Sequence, residues 1–254
     1  MLRLTRAFAA VLLLTGCTGG LDTLQQDLAR TAQEQVLKTL AGHYTRALGS
    51  GVGTIVDELS RPGGYLDNPL IRILLPPPVM LALDIARELH GEPQADLLEV
   101  LVNRAAEQAI PGAAPILQAA IAQLTPGEAR TLLDAGTTAG TDYLKAKTLT
   151  ALREALGPQI GAALDASGAL RSYAALLEAP AQPTPPVTAP PGEPPADIAA
   201  DTLPDPSAPP APPTLEDYVT EQAIDGLFKA LAEEEARIRA EIDSMGLRSI
   251  PGSP

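Results

Sequence analysis

The sequence predicts an all-α fold: a multi-helix bundle with an apolar Pro/Gly-rich loop and a long disordered Pro-rich insert before the last helix. Three observations lead there. Apolar residues recur at helical spacing, and no period-2 alternation runs for more than a few residues. Alanine, the strongest helix former, is abundant, whereas the 254 residues include no Trp and two Phe, so alanine and leucine must carry the core. Glycines and prolines cluster between the periodic stretches, where they punctuate.

The chain begins with Arg3 and Arg6, the apolar run Ala7–Leu14, and then Leu14-Thr15-Gly16-Cys17. A cationic start, a short apolar run and small residues at the cut read as a secretory signal over residues 1–16. The apolar run is about half the ~20 residues that a membrane span needs. A cut placed directly before a cysteine resembles the lipobox of bacterial lipoproteins, in which that cysteine is lipidated and becomes the mature N-terminus. Cys17 is the sole cysteine, which excludes disulfides and cysteine-ligated metals. Thr18 follows it, where aspartate would resemble an inner-membrane retention signal. The expected localisation is therefore a membrane-anchored lipoprotein facing the periplasm at the outer membrane.

Residues 17–20 are expected to form a short tether and 21–179 a helical domain. Leu24, Leu28, Ala32, Val36, Leu40 and Tyr44 recur every fourth residue and predict a first helix, capped by Asp22 or Thr23. Gly49-Ser50-Gly51-Val52-Gly53 is expected to interrupt it, with a second helix running to about Ser60. These glycines lack the GxGxxG spacing and a following lysine, so they are not read as a phosphate loop. The apolar stretch Leu70–Leu75 lies between Arg61-Pro62-Gly63-Gly64 and Pro76-Pro77-Pro78, which prohibit a long helix. It is expected either to be buried against the helices or to form a contact surface. Helices are predicted at Pro78–Leu89, Gln94–Ile110 and Ala113–Leu124. Thr125-Pro126-Gly127-Glu128 starts another, with a capping threonine, proline at the first position and glutamate at the third. A helix over Thr138–Leu156 should break at Gly157-Pro158 and resume to about Ala166, before a short one over Ala169–Glu178.

From Pro180 to Pro213 fourteen of thirty-four residues are proline. Such a stretch builds no core and is expected to be an extended, mobile insert. Residues 214–246 form a C-terminal helix that completes the bundle. Thr214 caps it, and Val219, Ile224, Leu227, Phe228, Leu231, Ile238 and Ile242 make a broad apolar stripe. Glu233-Glu234-Glu235 reads as a solvated face paired with Arg237 and Arg239. Residues 247–254 are expected to be a disordered tail.

Chemistry is sparsely marked. His43 and His90 are the only histidines and neither sits in a motif; no GxSxG elbow occurs, and zinc has too few ligands. Neither a cofactor nor a metal is expected. Removing residues 1–16 leaves sixteen basic against thirty-one acidic side chains, a net charge near −15, which opposes nucleic acid as a partner. Two polar groups stand out among apolar neighbours. Tyr65, Asp67, Asn68 and Arg72 make the Pro/Gly-rich loop a candidate binding loop. Asn103, Arg104 and Glu107 share one turn of an otherwise apolar helix and form a candidate polar cluster. The alternative for both groups is structural: Arg72 and Arg104 hold the loop on the bundle.

A set of phrases also carries a family resemblance. In order they are Arg61–Pro69, Asn103-Arg104-Ala105-Ala106-Glu107, Glu128-Ala129-Arg130, Tyr143-Leu144-Lys145, Leu215–Thr220, Ala223–Phe228 and Leu231–Glu235. Over roughly Leu37–Ala240 the chain resembles the bacterial envelope proteins catalogued as domain of unknown function 4197. The resemblance implies a secreted all-helical domain and no established activity. The long insert at Pro180–Pro213, Leu74 and Ala146 depart from the family's usual pattern. The expected function is a membrane-anchored, non-enzymatic helical module that binds a protein partner or supports the envelope. A carrier of a small hydrophobic ligand is the alternative, and a hydrolase the least favoured reading.

Overall fold

The computed structural model describes residues 18–76, 94–178 and 214–244. The helices predicted at Pro78–Leu89, the insert Pro180–Pro213, the tail 247–254, the signal and Cys17 lie outside the described residues. Helix α1 spans Thr18–Leu59, α2 Gln94–Ala109, α3 Ala113–Ala122, α4 Pro126–Asp134, α5 Ala139–Ser167, α6 Ala169–Glu178 and α7 Leu215–Ser244. A short 3-10 turn, Ile110–Gly112, joins α2 to α3. There is no strand among the described residues, and the fold is all-α.

Local signals set several boundaries. Thr125 Oγ1 accepts from Glu128 N while Glu128 Oε2 accepts from Thr125 N, the reciprocal box its sequence predicts. Thr214 and Asp217 repeat the device at the start of α7.

Three expectations are corrected. The glycines at 49–53 do not interrupt α1, which runs through them. A Cβ at Gly51 would lie 2.9 Å from Glu234 Cγ and 3.2 Å from Ile238 Cδ1. Glycine there lets two helices approach closely rather than bend the chain, and Gln118 Nε2 donates to Gly49 O at 2.7 Å. Gly157-Pro158 does not break α5 either. Leu152, Leu156, Ile160 and Leu164 are all fully buried along it, and that burial outweighs the missing N–H of one proline. Finally, α1 begins at Thr18, before Asp22 and Thr23, so residues 18–20 of the expected tether are helical.

The stripe every fourth residue along α1 is not one buried face. A step of four residues overshoots a turn by about 40°, so its members drift around the helix. Leu40 and Tyr44 are buried, while Leu28 is 71% exposed and Ala32 and Val36 are exposed. Among the described side chains of α1 burial begins at Leu40 and continues through Tyr44, Leu48, Gly51, Ile55 and Leu59, where a step of three among steps of four holds the phase.

Backbone proximity divides the chain into two compact units. The first takes residues up to Val52, Gln118–Ala146 and residues from Leu231 onward; the second takes Gly53–Leu117 and Lys147–Ala230. The first is cored by Tyr44, Leu48, Leu133, Leu144 and Ile238. The second is cored by Tyr65, Ile73, Leu98, Val102, Leu156 and Leu227. The predicted stripe of α7 is buried throughout.

Candidate functional site

In the second unit, α2 presents Asn103 and Glu107 one turn apart toward the loop 60–76. Both are buried, at 0% and 2% exposure. Glu107 Oε1 accepts from the backbone N–H of Gly63 at 3.0 Å and of Tyr65 at 3.3 Å, and Arg104 Nη1 donates to Oε2 at 2.9 Å. Gly63 turns at φ +91°, a left-handed conformation that suits glycine, and the Gly63 and Tyr65 N–H groups converge on one carboxylate while Gly64 N donates to Arg61 O. Asn103 handles the far end. Its Oδ1 accepts from Ile73 N at 2.9 Å and its Nδ2 donates to Ile73 O at 2.9 Å, so one amide satisfies both backbone groups of a buried residue.

Tyr65 is fully buried, and its Oη donates to Ala223 O at 2.8 Å on α7. Burial first, then the nearby Glu107 charge, push its phenol well above its usual range. Gly226 admits this ring, since a Cβ there would lie 2.8 Å from Tyr65 Cε1. Asn68 Oδ1 accepts from Leu70 N at 3.0 Å, a local turn bond. Arg72 donates to Glu99 with 45% of its side chain exposed, and Asp67 is exposed. The loop is thus split by alternation: Ile71, Ile73 and Leu75 are buried, whereas Leu70 and Leu74 are 65% and 51% exposed. The structure therefore brings Tyr65, Asn103, Arg104 and Glu107 into one assembly and leaves Asp67, Asn68 and Arg72 at its margin.

The first unit holds a second polar cluster, which corrects the reading of Glu233-Glu234-Glu235 as a solvated face. Glu235 is 1% exposed and Arg239 5%. Glu235 Oε1 accepts from Gly140 N at 2.9 Å, and Oε2 from Thr141 N at 2.7 Å and Thr141 Oγ1 at 2.8 Å. These are orphan donors in the first turn of α5. Arg239 donates to Leu133 O and Leu132 O, both at 2.8 Å, in the last turn of α4. One ion pair therefore caps the end of one helix and the start of the next, with each charge at the favourable pole of the helix dipole. Arg239 Nη2 also donates to Glu235 Oε1 at 2.7 Å, and Tyr44 Oη donates to the same oxygen at 2.5 Å. The Arg239 guanidinium lies 5.2 Å from the centre of the Tyr44 ring.

Burial alone would raise the Glu235 carboxyl, but hydrogen bonds from Tyr44, Arg239, Thr141 and Gly140 outweigh it and hold the group below the usual carboxylate range. Burial and the Glu235 charge push the Tyr44 phenol up. Glu235 did carry a sequence signal: Leu231, Glu235, Ile238 and Ile242 step by four, three and four, which puts the carboxylate on the apolar stripe.

Chemically, both clusters are closed. No buried side-chain nitrogen or oxygen among the described residues lacks a hydrogen-bond partner. A cleft beside Glu235, lined by Leu48, Val52, Leu144, Leu231 and Glu234, offers about 10 Å³. That is room for about one water, far from the ~300 Å³ of a small-molecule pocket. No group of three metal-ligating side chains occurs among the described residues. No described helix is long and apolar enough to cross a membrane.

The family model described as "Protein of unknown function (DUF4197)" matches residues 38–248. The chain belongs to this family. The match begins at Lys38, two residues before Leu40, and takes in both clusters just described. No curated protein matches the chain, and no solved structure does.

Proposed function

We propose that this chain is a lipid-anchored helical lipoprotein of the cell envelope, held to the outer membrane through Cys17 and facing the periplasm. It acts as a partner-binding or structural module, without catalysis. The observation that carries the reading is Cys17 itself: the sole cysteine, placed after a cationic start and a short apolar run, and one residue before α1. The interior agrees with it. Of the sequence's candidates, Tyr65, Asn103 and Glu107 are engaged in holding the loop, which favours a rigid module that meets its partner through surface residues.

Mass spectrometry of the protein extracted from membranes tests the anchor. The expected species begins at Cys17 and carries acyl chains. A soluble, unmodified chain, or one beginning elsewhere, contradicts the reading. Crosslinking in intact envelopes then tests the module: a discrete adduct with an envelope protein supports it.

A further inference from the structure

From Thr18 to Thr39, α1 is about 33 Å of helix at the usual rise, and it lies beyond the buried part of the first unit. Leu28, Ala32 and Val36 are exposed on it, Leu28 to 71%. At about 100° per residue these three share an arc of about 80°. Arg30, Glu34 and Lys38, all exposed, occupy a similar arc on nearly the opposite side. The helix is amphipathic here, and the described residues of its apolar side are exposed rather than packed.

Two features choose between occupants. Leu21, Leu24 and Leu28 follow heptad spacing, but the next seam positions are Thr31, Gln35 and Lys38, so a coiled coil with a second copy lacks its repeat. The stripe instead broadens toward Val36, which suits a flat apolar surface better than a narrow seam. The charged side mixes Glu34 with Arg30 and Lys38 and lies away from the apolar arc, so attraction to anionic headgroups is not the driving force. Cys17 stands immediately before the helix, and an anchor there holds the stripe at the leaflet at high effective concentration.

We infer that residues 18–37 lie along the membrane, with Leu28, Ala32 and Val36 set into the headgroup boundary of the leaflet that holds the Cys17 lipid. This rests on the lipoprotein reading above. The helix is then a second membrane contact rather than an upright stalk.

The absence of tryptophan from the chain makes the test clean. A chain starting at Cys17 is coupled through its thiol to a maleimide phospholipid in phosphatidylcholine vesicles, in four variants: L28W, V36W, R30W and E34W. This coupling anchors the protein whether or not cells lipidate it, so the result is independent of the mass-spectrometric test of Cys17. All four sites are exposed, and unchanged melting of each variant checks the fold. The expected result is a blue-shifted emission for L28W and V36W, quenched by brominated lipid, with R30W and E34W unaffected. Four emissions unaffected by vesicles would overturn the inference in favour of a stalk. A blue shift without vesicles that grows with protein concentration would overturn it in favour of a second copy.

Discussion

Glu107 and Glu235 are both buried carboxylates that gather backbone N–H groups, yet they are neutralised differently. Glu235 has its cation inside with it: the side chains of Arg239 and Glu235 are 6% and 1% exposed. Glu107 pairs with Arg104, whose side chain is 40% exposed, and shares its task with the neutral Asn103. The first arrangement joins two helix ends across the turn from Asp134 to Ala139. The second fastens an irregular loop whose backbone has no regular ladder to satisfy it. Desolvating both charges makes the first cluster costly to break. A half-wet cation makes the second more tolerant, because water can replace one partner.

The largest expected effect is R239A, which strands Glu235 without its cation and should destabilise by about 3–5 kcal/mol in urea unfolding. The pair E235L and R239M sharpens this. Combined, they should cost about 2 kcal/mol less than the sum of the singles, because the double variant leaves no lone buried charge. Additivity would mean that the two side chains act separately.

E107A and N103A should each cost about 2–3 kcal/mol, since each strands buried backbone groups of the loop. A much smaller loss in either would show that water enters the loop and that the second cluster is wetter than described.

Acid distinguishes the clusters further. The Glu235 carboxyl is held below its ordinary value in the folded state, so its contribution is complete above about pH 4.5 and is lost as pH falls through the folded value. The stability gap between wild type and E235Q should therefore narrow in that acidic window. At the other extreme, Tyr44 and Tyr65 have raised phenols. Their contribution is complete below about pH 10 and is lost as pH rises toward the folded values. Y65F should cost about 1–2 kcal/mol through the stranded Ala223 carbonyl and should flatten part of this alkaline slope.

R72A should have the smallest effect, at most about 1 kcal/mol, because its pair with Glu99 is half in water. Arg72 does tie the loop to α2 through Glu99, but from a half-exposed position. Because Tyr65 is a core residue, replacing it by alanine cannot probe a surface site without disturbing the fold.

Much of this was legible where the signal is local. Thr125 through Glu128 and Thr214 through Asp217 announce their helix starts by chemistry confined to four residues. Asn103 and Glu107 were visible as polar residues on an apolar helix, although their loop partners were not. Glu235 was hidden because Glu and Arg four apart look like a surface pair, and only the phase of Leu231 and Ile238 reveals the burial. Gly51 and Pro158 misled for the opposite reason. Both weaken an isolated helix, but Gly51 here admits Glu234 and Ile238, and Pro158 sits opposite a face sealed by Leu156 and Ile160. Tertiary packing overrode local propensity at both places.

In both clusters the buried polar side chains hold backbone groups. Native-state hydrogen exchange at the amides of Gly63, Tyr65, Ile73, Gly140 and Thr141 tests this most directly. All five should be protected in the wild type, with Gly63 and Tyr65 released selectively in E107A and Gly140 and Thr141 in E235A. Free exchange at these amides in the wild type, or protection of Gly63 and Tyr65 that survives E107A and of Gly140 and Thr141 that survives E235A, would contradict it.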